Sequence, residues 1–158
     1  MRYNAGLDIM RKQGSGRIIN ITSIGGKVWT LLGAWYHASK FAVEGFSDSL
    51  RNEVRPFGID VVVIEPGAIK TEWPTIAAEN VKKMSGNGPY CELAEATAHL
   101  FMAQGASAYA SPQVIADVIW RAASTRHPKA RYIVYNDAPK VANLRQQFPI
   151  LYREPTLE

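Results

Sequence analysis

Two short runs of β-branched residues, Arg17 to Thr22 (RIINIT) and Asp60 to Glu65 (DVVVIE), flank one amphipathic stretch, and this order restricts the fold more than any other feature. Val and Ile packed this continuously suit strands covered on both faces, as in a parallel sheet. The stretch between them, about Ala34 to Arg55, repeats Phe41, Ala42, Val43, Phe46 and Leu50 at three-to-four spacing and stops at Pro56-Phe57-Gly58. Adjacent parallel strands need such a crossover helix, with a strong right-handed preference. The fold class that follows is α/β, with two neighbouring parallel strands.

The flanking segments extend the pattern. Asp8 to Gln13 forms the last turns of a helix: Arg11 and Lys12 suit a helix C-terminus, and Gly14 suits the left-handed cap. Pro112 to Ser124 is a helix with Val114, Ile115, Val118 and Ile119 on one face, and Arg131 to Tyr135 is a strand. From Asn136 a C-terminal tail is expected. Thr71 to Ser111 carries weak helical patterning on either side of Gly86-Asn87-Gly88-Pro89 and reads as a mobile insertion. The 158 residues show no repeat and no shift in composition, so a single domain is expected.

Composition narrows the function classes. The 18 basic and 14 acidic residues are spread along the chain, and a net charge of +4 without a basic face argues against nucleic-acid binding. Cys91 stands alone, which excludes an internal disulfide and supports no zinc site. No stretch approaches the roughly 20 apolar residues of a membrane span, and Met1 to Gly16 has no signal-like apolar core, so a cytoplasmic protein with no membrane partner is expected. His37, His99 and His127 lack partners at ligand spacing and read as surface or loop residues; Glu44, Asp48, Arg51 and Glu53 read as a solvated helix face or a subunit contact.

Three polar features each follow a structural boundary: Thr22-Ser23 after the first strand, Tyr36 to Lys40 early in the helix, and Pro66 to Thr71 after the second strand. Ligands of open parallel sheets bind beyond the carboxyl ends of the strands, so Ser23 and the Pro66 loop are expected to share a crevice. Tyr36 and Lys40, four apart, share a helix face. A phenol has a pKa of about 10, and a neighbouring ammonium favours its phenolate, which suits Tyr36 to proton transfer. The Ser23 hydroxyl suits hydrogen bonding to an oxygen on which negative charge develops. Tyr-x-x-x-Lys alone is weak, since seven Tyr and eight Lys give about a third of an occurrence by chance. A strand-end Ser 13 residues earlier and a Pro-Gly turn after the next strand are not supplied by chance.

The collinear runs GRIINITSIGG, YHASKFAVEGFSDSLRNEV and GIDVVVIEPGAIKT resemble the catalytic half of the short-chain dehydrogenase/reductase family. The resemblance implies a partial Rossmann-like, doubly wound parallel sheet. It implies an enzyme that moves hydride between NAD or NADP and a small-molecule alcohol or ketone, with a homo-oligomeric parent. Residue by residue, it makes Ser23, Tyr36 and Lys40 catalytic, with Tyr36 the acid or base and Lys40 also holding the nicotinamide ribose. It puts the Ile69 backbone against the carboxamide, Pro66, Gly67 and Thr71 around that end of the cofactor, and Asn20 nearby. Trp73, Ile76 and Met84, with Trp29 to Leu32 opposite, either line a pocket for a bulky apolar substrate or cover the core or a subunit contact. An epimerase or dehydratase of the extended branch would share the Tyr and Lys but is not expected to carry Pro-Gly-Ala-Ile-Lys-Thr at this place.

The departures from the family are at the other end. The Gly-rich phosphate turn has no counterpart, because Gly14-Ser15-Gly16 precedes a strand instead of following one. Sixteen residues before Arg17 cannot hold a βαβ unit of roughly 30. The expectation is therefore a single partial domain, residues 1–158, without its dinucleotide-binding half and with Arg17 to Thr22 as an exposed apolar edge. The alternative is an inactive remnant that acts at most as an interaction module.

Overall fold

The computed structural model describes residues 2–103 and 109–134. Its helices are α1 (Arg2–Gln13), α2 (Ala34–Val54), α3 (Trp73–Ser85), α4 (Cys91–Ala103) and α5 (Pro112–Ser124); its strands are β1 (Gly16–Ile21), β2 (Ile59–Pro66) and β3 (Arg131–Val134). The strands form one parallel sheet in the order β1-β2-β3. Gly16 pairs with Ile59 and Ile21 with Ile64; Val63 pairs with Arg131 and Pro66 with Val134.

Both faces of the sheet are covered, as the Val and Ile runs require. On one face Leu7 of α1 and Leu50 and Val54 of α2 pack on Ile18, Ile59 and Val61. On the other, Ile115, Val118, Ile119 and Ala122 of α5 pack on Val62, Ile64 and Val134. Alternate residues of β2 thus feed two cores, and Val61 to Ile64 are all buried. Arg17 ties the layers together: its guanidinium donates to the carbonyls of Ala122, Ala123 and Thr125 at the end of α5 and pairs with Asp60 at 2.8 Å on the neighbouring strand. The α/β, partly doubly wound architecture expected from the sequence is the one found.

Gly14 caps α1 with φ of 66°, which a side chain would strain, and its connection runs directly into β1. The insertion expected between Thr71 and Ser111 is instead the helical hairpin α3–α4. Its seam is built on small side chains, with Ala78, Ala94, Thr97 and Ala98 all buried, and a Lys82–Glu95 pair at 2.8 Å bridges it. Tyr135, at the end of the expected last strand, and the tail from Asn136 lie outside the described residues.

Candidate active site

Because β1 and β2 are parallel, their carboxyl ends lie side by side, and the Thr22-Ser23 and Pro66-Gly67 segments leave the sheet together. The Thr22 amide extends the ladder by one step, donating to Ile64 O at 2.9 Å. Ser23 then caps a 3₁₀ turn at Ile24–Gly26, its Oγ accepting from the Gly25 amide at 3.0 Å. Accepting that bond leaves the hydroxyl proton available for another partner.

Tyr36 and Lys40 stand on the first two turns of α2. Lys40 Nζ donates to the Thr22 carbonyl at 3.1 Å and lies 5.9 Å from the centroid of the Tyr36 ring. One ammonium therefore bridges the segment bearing Ser23 and the ring of Tyr36, with two of its three protons left to donate. The Tyr36 ring meets His37 edge-on at 5.3 Å and Trp73 at 5.7 Å, and Trp73 in turn meets Phe101 at 5.5 Å. The α3–α4 hairpin thereby reaches the site. The strap after β1 closes on the same ring: a Cβ at Gly25 would stand 2.7 Å from Tyr36 Cε1.

His37 departs from its sequence reading, being buried rather than on the surface. Its Nε2 accepts from the Thr30 amide at 2.9 Å, which fixes the neutral tautomer whose Nδ1 donates to Gly25 O, also at 2.9 Å. Both ends of the strap are thus fastened to the residue next to Tyr36. Trp29 and Leu31 of that strap are partly exposed, as are Trp73 and Ile76; Met84 is largely exposed.

After β2, Gly67 N donates to Val134 O at 3.0 Å. Ile69 forms an isolated parallel bridge with Ala110, made through the Ala68 carbonyl and the Lys70 amide. Ile69's own amide therefore points to the opposite side of the segment. Thr71 Oγ1 accepts from the Trp73 amide at 3.3 Å at the start of α3. Asn20 is buried beneath α2, its side-chain amide donating to Ser47 Oγ at 2.9 Å.

Beneath the site lies an ionic cluster that sequence reasoning missed. Glu44, expected on a solvated face, is 5% exposed and accepts from Thr22 Oγ1 at 2.5 Å, Lys27 Nζ at 2.9 Å and Arg131 at 3.2 Å. Glu65, 1% exposed, has its Oε1 3.1 Å from Arg131 Nε and 3.5 Å from Lys27 Nζ, without an aligned hydrogen bond at that oxygen. Arg131 also grips Asp48 at 2.6 Å. Burial pushes the Glu44 carboxyl up, but the Thr22, Lys27 and Arg131 contacts outweigh it and hold the group below its usual range. Burial and the neighbouring Glu44 push Glu65 up, whereas the hydrogen bond from Arg131 holds Asp48 down. The only hint in the sequence was a Glu at the end of an otherwise apolar strand.

Among the described residues there is no cluster of His, Cys, Asp and Glu suited to a metal, and no helix is long and apolar enough to cross a membrane.

Residues 2–82 match the family model described as short chain dehydrogenase. The chain is 33% identical over 136 residues to Oxidoreductase BOA17 of Botryotinia fuckeliana, covering 86% of this chain and 48% of that protein. The structure of a short-chain dehydrogenase from Streptomyces avermitilis superposes with a TM-score of 0.65 at 31% identity, over 89% of this chain and 50% of the other. The structure of F189W actinorhodin polyketide ketoreductase with NADPH superposes with a TM-score of 0.55 at 29% identity, over 81% of this chain and 49% of the other. The chain spans about half the length of the curated relatives it matches.

Proposed function

Taking as premise that the chain belongs to the short-chain dehydrogenase family, we propose that it carries the proton-handling site of a nicotinamide-dependent oxidoreductase acting on an alcohol or ketone. The observation that carries the proposal is the Lys40 ammonium, bonded to the Thr22 carbonyl beside Ser23 and 5.9 Å from the Tyr36 ring. Ser23, just past the end of β1, and Tyr36 and Lys40, both on α2, thereby serve one crevice.

In the reducing direction the Ser23 hydroxyl donates to the substrate carbonyl oxygen, and the Tyr36 hydroxyl gives that oxygen its proton; oxidation runs the same steps backwards. Lys40 stabilises charge on the Tyr36 oxygen and offers its remaining protons to the ribose hydroxyls. The outward amide of Ile69 suits the carboxamide, and Pro66, Gly67 and Thr71 bound that end of the site. Asn20 supports it from below, where its amide is committed to Ser47. The bound nicotinamide supplies or accepts the hydride. These groups suit such a cofactor: the Ile69 amide follows the end of β2, and the Lys40 ammonium stands on Thr22 O at the end of β1.

Trp73, which packs on Tyr36, with the exposed Ile76 of α3 and Leu31 of the strap, suits a bulky apolar substrate, in keeping with the polyketide ketoreductase among its structural neighbours. A homo-oligomeric, cytoplasmic parent and a single domain over residues 1–158 belong to the same reading. Titrating the complete gene product with NADPH and with NADH while following nucleotide fluorescence tests it and ranks the two cofactors. Saturable binding to either is expected; no binding to either leaves the alternative of a non-enzymatic interaction module.

A further inference from the structure

Thr22 has every polar atom engaged, and its partners connect a buried carboxylate to the crevice. Its amide continues the β1–β2 ladder to Ile64 O, its Oγ1 donates to Glu44 at 2.5 Å, and its carbonyl receives the Lys40 ammonium at 3.1 Å. Thr22 is 3% exposed, so no water competes for these bonds. The Oγ1–Glu44 bond anchors the residue whose carbonyl receives Lys40 and whose peptide leads into Ser23.

Glu44 is itself held from every side. Lys27 reaches it from the strap after β1, Arg131 from β3, Glu65 faces it from the end of β2 and shares both cations, and Asp48 shares Arg131 from the next turn of α2. Charge-assisted hydrogen bonds of this kind are short and directional. The cluster fastens both segments that enter the crevice: Lys27 lies four residues beyond Ser23, and Glu65 directly precedes Pro66-Gly67. The partners of the Glu44 carboxylate are Thr22, Lys27 and Arg131, none of them a group assigned to the chemistry.

We propose that Glu44, acting through Thr22, is a positioning residue that sets the Lys40 ammonium and the Ser23 hydroxyl against Tyr36. This rests on the functional reading above. Buried Glu44 variants leave Lys27 and Arg131 short of a partner and are prone to unfold, so the sharper test is Thr22→Val, which keeps the shape and removes only the hydroxyl, paired with Thr22→Ser, which keeps the hydroxyl.

Both variants, with the wild type and Tyr36→Phe, are made in the complete gene product. NADPH affinity, KM, kcat and the pH profile of kcat/KM are then measured. Thr22→Val is expected to weaken NADPH binding and lower kcat about tenfold each, the scale of one lost hydrogen bond to a charged group, and to displace the midpoint of the pH profile. Thr22→Ser is expected to stay within about twofold of the wild type on that same scale. Wild-type behaviour of Thr22→Val overturns the inference, as does a uniform loss of activity in both variants with an unmoved pH profile, which marks a packing role only. If instead Tyr36→Phe turns over like the wild type, or the wild type binds no NADPH, the functional reading itself fails.

Discussion

The indole of Trp73 stands 5.7 Å from the Tyr36 ring, centroid to centroid, so the first residue of α3 packs on the proposed proton donor of α2. The α3–α4 hairpin thereby reaches Tyr36, and in the proposed reading it walls the substrate side of the crevice. Trp73 is still 46% exposed, which leaves much of its surface for a ligand.

Trp73→Ala should therefore act on substrate binding. Losing one aromatic contact of about 0.5–1.5 kcal/mol, beyond the apolar area itself, predicts a KM for an apolar ketone raised about tenfold with kcat changed far less. Steady-state kinetics on a bulky and a small ketone check this. An equal effect on both, or on kcat alone, would count against the pocket assignment.

Gly25→Ala tests the strap. The added methyl would meet Tyr36 Cε1 at 2.7 Å and His37 Nδ1 at 3.3 Å, so either the strap lifts or the Tyr36 ring turns. Displacement by a few tenths of an ångström at a proton donor predicts turnover reduced about 10- to 100-fold with a small change in melting temperature. Turnover equal to the wild type would mean that the strap does not fix Tyr36.

The ionic cluster predicts opposite pH responses from two of its acids. Asp48 is held below its ordinary value of 3.8, so its contribution to stability is present above that pH and fades as pH falls through the lowered value. Asp48→Asn should be destabilised at pH 7 and approach the wild type in acid. Glu65 is raised above 4.5, so its contribution is full below that pH and is lost as pH rises through the raised value. Glu65→Gln should therefore compare better with the wild type at pH 7 than at pH 4. Thermal melts of the three proteins across this range decide it, and parallel curves for both variants would refute the assignment.

What could be read from the sequence follows a physical division. The βαβ frame was legible because Val61 to Ile64 and the Leu50 face of α2 are buried by local pattern alone. Ser23, Tyr36 and Lys40 were legible as candidates because Ser23 follows β1 and the other two lie early in α2, places that a parallel sheet fixes. The α3–α4 hairpin was not, since its seam of Ala78, Ala94 and Ala98 gives little hydrophobic contrast and Gly86 to Pro89 resembles an open loop. Glu44 could not be told from a solvated glutamate, because Arg131, which neutralises it, is 87 residues away in the chain. His37 was hidden for a similar reason: its partners Gly25 and Thr30 belong to a strap whose path no periodicity reveals.

The central claim is that Tyr36 handles the proton, and substituting Tyr36→Phe in the complete gene product is its most direct test. The variant removes one oxygen and leaves the ring against Trp73, His37 and Gly25. Ketone reduction should fall by about 10²- to 10⁴-fold, the range of a lost general acid, while NADPH binding by fluorescence stays within a few-fold of the wild type. Reduction at the wild-type rate would contradict the account.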